Sequence, residues 1–180
     1  MDKVVARFDA SHSAQLARRS TAALDAARNI TVVFTSEAGT IAALRSAADL
    51  SVRLDARVTL AILDVVPYGR PLNEPTDMLE RRSLRVVADS GVRGTEIRIQ
   101  IWRCRDMRKG LRQILTSHSM IVLGGRVSWW PSPERKLQRW LSGMGHHVIL
   151  ADVRAEACRR MLPASQRQAV LGRTLRAMHE

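Results

Sequence analysis

Residues 119–153, SMIVLGGRVSWWPSPERKLQRWLSGMGHHVILADV, constrain the chain more than any other stretch. They read as a strand, a Gly-Gly turn, an aromatic loop, a capped helix and a second strand, which together make one βαβ unit. Met120 to Leu123 is apolar at every position, which suits a parallel strand buried on both faces. Gly124 and Gly125 close it. Ser132 is placed as N-cap, Pro133 as the first helical residue, and Glu134 in the first turn, where a carboxylate meets the positive end of the helix dipole. Leu137, Trp140, Leu141 and Met144 then recur at the spacing of one buried helical face, and Gly143 or Gly145 ends the helix. Val148 to Leu150 is the second strand. Open parallel sheets bind ligands outside the carboxyl ends of their strands, where strand order reverses. Gly124, Gly125 and Arg126 are therefore expected to border any site.

The rest of the chain repeats this alternation. Ile30 to Phe34 is a β-branched apolar strand running into the turn Thr35-Ser36-Glu37-Ala38-Gly39. A long helix follows, with Ile41, Leu44, Ala48 and Val52 as its buried face, and ends near Asp55. Val58 to Val66 is a second continuous strand, stopped by Pro67-Tyr68-Gly69. After a Pro-rich loop from Arg70, helix begins around Thr76 with Met78, Leu79, Leu84 and Val87 as core contacts. In Thr95 to Trp102, Ile97, Ile99 and Ile101 alternate with polar residues, so one face is wet and this is an edge strand. Asp106 caps the helix that carries Leu111, Ile114 and Leu115. Five strands with helices between them require a parallel, doubly wound, Rossmann-like α/β sheet with right-handed crossovers.

The expected organisation is a helical extension over residues 1–28, beginning as helix near Asp9 or Ser11, an α/β domain over 29–153, and a basic amphipathic tail over 154–180. The tail carries an apolar stripe through Cys158, Met161 or Leu162, Val170, Leu175 and Met178, with arginines off the stripe. The final strand is apolar, and an uncovered apolar edge is an aggregation hazard. The tail or a homodimer mate is expected to cover it.

A net charge of +12 favours anionic partners such as nucleic acid, nucleotides, acidic proteins or a membrane surface. The competing reading is a dispersed, solvated surface: the cations are almost all Arg, with Lys only at 3, 109 and 136, and no nucleic-acid motif accompanies them. The dispersed reading leads. Cys104 and Cys158 are far apart and form no CxxC, which fits a reducing cytosol. No signal peptide or spanning run is read, so a soluble, cytoplasmic protein is expected.

Several segments resemble the universal stress protein family, a doubly wound fold of the adenine nucleotide alpha hydrolase-like superclass. The resemblance covers residues 29 to 153. It is carried by ALRSAADLSVRLDARVTLAILDVVP, similar to the family's helix into second strand, by WRCRDM before the third helix, and by IVLGG with LSGMGHHVILAD in the last two strands. It implies strand order 3-2-1-4-5, a role in bacterial-type stress response, and an ATP or ADP site. In nucleotide-binding members an Asp closing the first strand helps hold adenine, and a Gly-x-x-Gly motif, followed about nine residues later by Gly and Ser or Thr, cradles the phosphates. Thr35 stands at that Asp position. After Gly124 and Gly125 come Val127, Ser128, Trp129, Trp130 and Pro131 instead of glycines, and Glu134 and Arg135 stand where the second glycine pair would fall. These departures argue against nucleotide binding in the family manner. Arg126, Arg135 and Lys136 remain candidates for holding an anion.

Other constellations have competing readings. Trp129 and Trp130 offer a base-stacking or partner surface, or local core at the sheet end. Trp140 is assigned to core. Cys104, between Arg103 and Arg105, is a candidate low-pKa thiolate, against the commoner inert cysteine. His146 and His147 are a candidate metal pair, against the leading reading of a polar strand start. No nucleophile with base and orienter, paired carboxylates, HExxH or P-loop is found, so no enzyme activity is expected.

The leading expectation is a non-catalytic stress-protein-like module with a degenerate nucleotide site and no cofactor, acting through protein partners. The first alternative is a nucleotide or anion sensor, with Thr35, Ser36, Glu37, Gly124, Gly125 and Arg126 around the ligand. The second is a basic scaffold using the tail arginines on nucleic acid or anionic membrane.

Overall fold

The computed structural model describes residues 7–8, 29–72, 75–126, 132–155 and 158. Its strands are β1 (Arg7–Phe8), β2 (Asn29–Val33), β3 (Arg57–Val65), β4 (Ile97–Cys104), β5 (Met120–Gly125) and β6 (His147–Asp152). The helices are α1 (Glu37–Leu54), α2 (Asp77–Ser90), α3 (Met107–Ile114) and α4 (Pro133–Gly143). All pairings are parallel, in the order β1-β4-β3-β2-β5-β6. Counted from β2, the five main strands have the order 3-2-1-4-5, as the sequence led us to expect.

The sheet has one strand more than expected. Arg7 and Phe8, inside the segment assigned to a helical extension, pair with Arg98 and Ile99 on the outer side of β4. An edge strand presents unpaired N–H and C=O groups, and a short strand is one way to cover them. The helix expected from Asp9 or Ser11 lies outside the described residues, as does the tail beyond Cys158. Past β6 the chain is helical at residues 153–155.

Caps set the helix ends. Ser36 accepts from the Gly39 N–H, Asp106 from Lys109 and Ser132 from Arg135, each from an extended backbone. Because Ser36 caps, α1 starts at Glu37, inside what reads as a turn. Asp55 ends α1 and Gly91 ends α2, both in the left-handed conformation.

Two cores lie on opposite faces of the sheet. On one, Ile30, Val32, Val58, Leu60, Ile97, Ile99 and Val122 meet Ala43, Leu44 and Ala47 of α1 and Val86 and Val87 of α2. On the other, Val33, Ile121 and Leu123 meet Leu111 of α3, Leu115 and, from α4, Leu137 and Leu141. The successive residues Val32 and Val33 serve opposite cores, as the pleat of a strand covered on both faces requires.

The expected helix faces need correction. On α1, Leu44 is buried, Ile41 and Ala48 are half-buried, and Val52 is 78% exposed. The buried stripe runs through Thr40, Ala43, Leu44, Ala47 and Ser51, in which the residues other than Leu44 are small and let the helix approach the strands. On α2, Met78 is 84% exposed and Leu84 also faces outward, while Ser83 and Ser90 are buried. Their hydroxyls donate to Glu80 O at 2.7 Å and Val87 O at 2.6 Å, so burying them leaves no orphaned polar group.

Candidate functional site

Strands β2 and β5 run together from Ile30 opposite Met120 to Val33 opposite Leu123. There they part. The Phe34 N–H bonds to Ala61 O of β3 at 2.9 Å, while the Thr35 hydroxyl donates to Gly124 O at 2.7 Å. This is the point where strand order reverses, the place an open α/β sheet offers to a ligand.

The turn from β2 into α1 is tied down by its own polar groups. Ser36 Oγ accepts from Gly39 N at 3.2 Å, Ser36 O accepts from Thr40 N at 2.7 Å, and the buried Thr40 hydroxyl accepts from Thr35 N at 3.4 Å. At α4, Ser132 takes the Arg135 N–H on its hydroxyl at 3.3 Å and the Lys136 N–H on its carbonyl at 3.1 Å. Backbone N–H groups of this kind cradle phosphate when they point into open space. These already have partners within the chain.

Glycine pairs bring the elements into contact. A Cβ on Gly124 would stand 1.7 Å from Gly39 O, and one on Gly39 would stand 2.6 Å from Gly124 O. The first turn of α1 therefore rests backbone-to-backbone on the end of β5. A Cβ on Gly125 would meet Glu134 Cγ at 2.9 Å, so the first turn of α4 closes on the neighbouring residue. Gly124 and Gly125 are both buried.

Of the expected site residues, the fold joins Thr35, Ser36, Gly124 and Gly125. Glu37 turns toward α2, where its carboxylate pairs with Arg82 Nε at 2.8 Å with both side chains about half exposed. The same guanidinium lies 5.5 Å from the Phe34 ring centroid. Arg126 is exposed just past β5. Trp129 and Trp130 lie outside the described residues. From sequence Gly39 reads only as part of a turn; the signal that marks it is its position inside the first helical turn, where glycine is costly without a packing reason.

Burial pushes the Cys104 thiol above its ordinary value; the Asp106 backbone hydrogen bond opposes this, and the Asp106 and Asp64 charges add to it. The low-pKa thiolate reading is thus overturned in direction. His147 opens β6 and is exposed, whereas His146 is buried with Nδ1 unpartnered among the described residues. Burial, and then the charge of His118, hold His146 below its ordinary value. Among the described residues no group of three His, Cys, Asp or Glu side chains is placed to hold a metal. No helix among them is long and apolar enough to cross a membrane.

Trp140, assigned to core, sits half-buried at the margin of the second core. The guanidinium groups of Arg108 and Arg112 lie 5.5 and 5.6 Å from its ring centroid.

No protein-family model matches this sequence, and no curated protein matches it either. Among solved structures, the chain is similar to a protein from the universal stress protein family from Burkholderia pseudomallei. The identity is 18% and the TM-score 0.44, over 69% of this chain and 95% of that one.

Proposed function

We propose that this chain is a non-catalytic, cytoplasmic, universal-stress-protein-like module that does not hold ATP or ADP in the family manner and acts through partners. The observation that supports this reading is the contact of Gly39 with Gly124, reinforced by the Thr35 hydroxyl on Gly124 O. Backbone packed this closely at the strand-order reversal supports the reading that a nucleotide lacks space there. Glu134 against Gly125 adds a carboxylate beside the same turn, which opposes a polyphosphate.

The second reading, an anion sensor, is favoured by Arg126, exposed at the carboxyl end of β5. Isothermal titration of the nucleotide-free protein with ATP, repeated with Arg126→Ala, separates the two. Absence of heat together with an unchanged melting temperature is the expected result. Micromolar binding that Arg126→Ala abolishes would overturn the closed-crevice reading and make the protein a sensor.

A homodimer through β6 belongs to this proposal. β6 is the outermost described strand on its side, and Val148, Ile149 and Leu150 are half-buried along it. Sedimentation equilibrium is expected to return twice the monomer mass, and a charged residue at Ile149 to halve it.

A further inference from the structure

The two helical layers differ in charge. Helices α1 and α2 together carry five arginines against five carboxylates, a balanced surface. Helices α3 and α4 carry Arg108, Lys109, Arg112, Arg135, Lys136 and Arg139 against the single carboxylate Glu134, a net charge of +5. Asp106, the N-cap of α3, is the nearest further acid in sequence, and its carboxylate is engaged by the Lys109 N–H at 2.8 Å. None of the six cations makes an ion pair among the described residues, whereas Arg82 on the opposite layer is paired with Glu37.

The layer is also organised. Arg108 and Arg112, one turn apart on α3, both lie over the Trp140 ring of α4. A ring face attracts a guanidinium through its quadrupole, and so holds a fork of N–H donors in place. Two like charges on one ring repel each other, and a shared anion relieves that repulsion. Phosphate, like carboxylate, matches the geometry of a guanidinium fork, and it is cations repeated over two adjacent helices that suit a chain of phosphates.

The geometry points to the α3–α4 layer as a docking surface for nucleic acid, binding the sugar-phosphate backbone by charge without reading base sequence. This goes beyond the proposed function and does not depend on it, since the surface lies on the helices and not in the switch-point crevice. The distribution of apolar side chains favours nucleic acid over a membrane. Surface-bound helices insert large apolar residues into the headgroup layer. Among the described residues the exposed ones, such as Val52, Tyr68 and Met78, lie on other elements, and α3–α4 contributes only Met107.

The test is fluorescence anisotropy of a labelled mixed-sequence duplex of about 20 base pairs with the full chain, across salt concentration. If five phosphates are neutralised, affinity falls about 500-fold between 50 and 200 mM salt. Two double variants, Lys136→Glu with Arg139→Glu and Lys109→Glu with Arg112→Glu, reverse charge on separate helices at exposed positions. Arg81→Glu with Arg85→Glu makes the same change in net charge on the balanced layer. The first two are expected to weaken binding about tenfold or more and to flatten the salt dependence by about two phosphates, while the third stays within about threefold of the parent. Circular dichroism checks that each variant is folded, and either α3 or α4 pair suffices. Equal weakening by all three doubles would show bulk charge and overturn the assignment. Unchanged binding by both α3 and α4 doubles would overturn it too, moving any contact to the tail arginines. Absence of binding at 50 mM salt, with capture by anionic vesicles or polyglutamate instead, would replace nucleic acid with a membrane or an acidic protein.

Discussion

The carbonyl oxygen of Gly39, in the first turn of α1, lies 1.7 Å from the place a methyl group on Gly124 would occupy at the end of β5. Helix and strand are therefore in backbone contact at the point where β2 and β5 separate.

Substituting alanine into this contact is expected to be severe and asymmetric. Gly124→Ala drives its methyl into helix backbone, which cannot swing aside, and is expected to cost about 3 kcal/mol or more, or to prevent folding. Gly39→Ala meets Gly124 O at 2.6 Å and the Thr35 and Ser36 hydroxyl oxygens at 2.9 Å, so it is also destabilising but less so. Gly143→Ala, at the end of α4 with nothing within 4 Å, is expected to be neutral or to stabilise by about 0.5 kcal/mol. Urea denaturation of the three variants gives the ranking.

Thr35→Val removes the hydroxyl that donates to Gly124 O while keeping the shape of the side chain. The expected loss is roughly 1 kcal/mol for the hydrogen bond, rising toward 2–3 if the carbonyl is left dry. Thr35→Asp sets a carboxylate against that carbonyl and is expected to be worse than Val. A shift in the urea midpoint decides both.

Arg105 pins the segment after β3. Its guanidinium donates to Val66 O at 3.2 Å, Arg70 O at 2.7 Å and Pro67 O, and lies 5.5 Å from the Tyr68 ring. Arg105→Ala is expected to leave global stability nearly unchanged and to raise the rate of proteolytic cleavage between Pro67 and Leu72 by roughly tenfold, following the larger open population. Arg105→Lys is expected to restore little, because one ammonium cannot span three carbonyls.

Burial holds His146 below its ordinary value of 6.5, with the His118 charge adding to the effect. Below pH 6.5 the unfolded chain takes up a proton that the folded chain resists, so stability is complete above that pH and falls as pH drops through it. Thermal unfolding at pH 7.5 and 5.5 is expected to show a larger loss for the parent than for His146→Gln. Equal losses would show that other groups control the acid transition.

Much of the fold was legible along the chain. Continuous apolar runs marked β3 and β5 as strands buried on both faces, alternation marked the wet face of β4, and Asp106, Ser132 and Pro133 marked helix starts. Those signals are local, because a backbone cap or a strand's polarity depends on residues a few positions apart. Helix faces were less legible. Hydrophobicity chose Val52, Met78 and Leu84, but the sheet took alanines and self-bonded serines, because close approach needs small side chains more than large apolar ones.

The sequence alone determined the α/β alternation, the parallel sheet, the location of the strand-order reversal and the candidate residues beside it. The tertiary structure decided what those residues do. Only when the chain folds back to join Thr35 and Gly124, 89 positions apart, does the hydroxyl meet the carbonyl. The added strand on β4, the Gly39 contact and the two arginines over Trp140 likewise depend on distant partners. Such pairings are chosen by how the layers stack, which no local pattern of residues encodes.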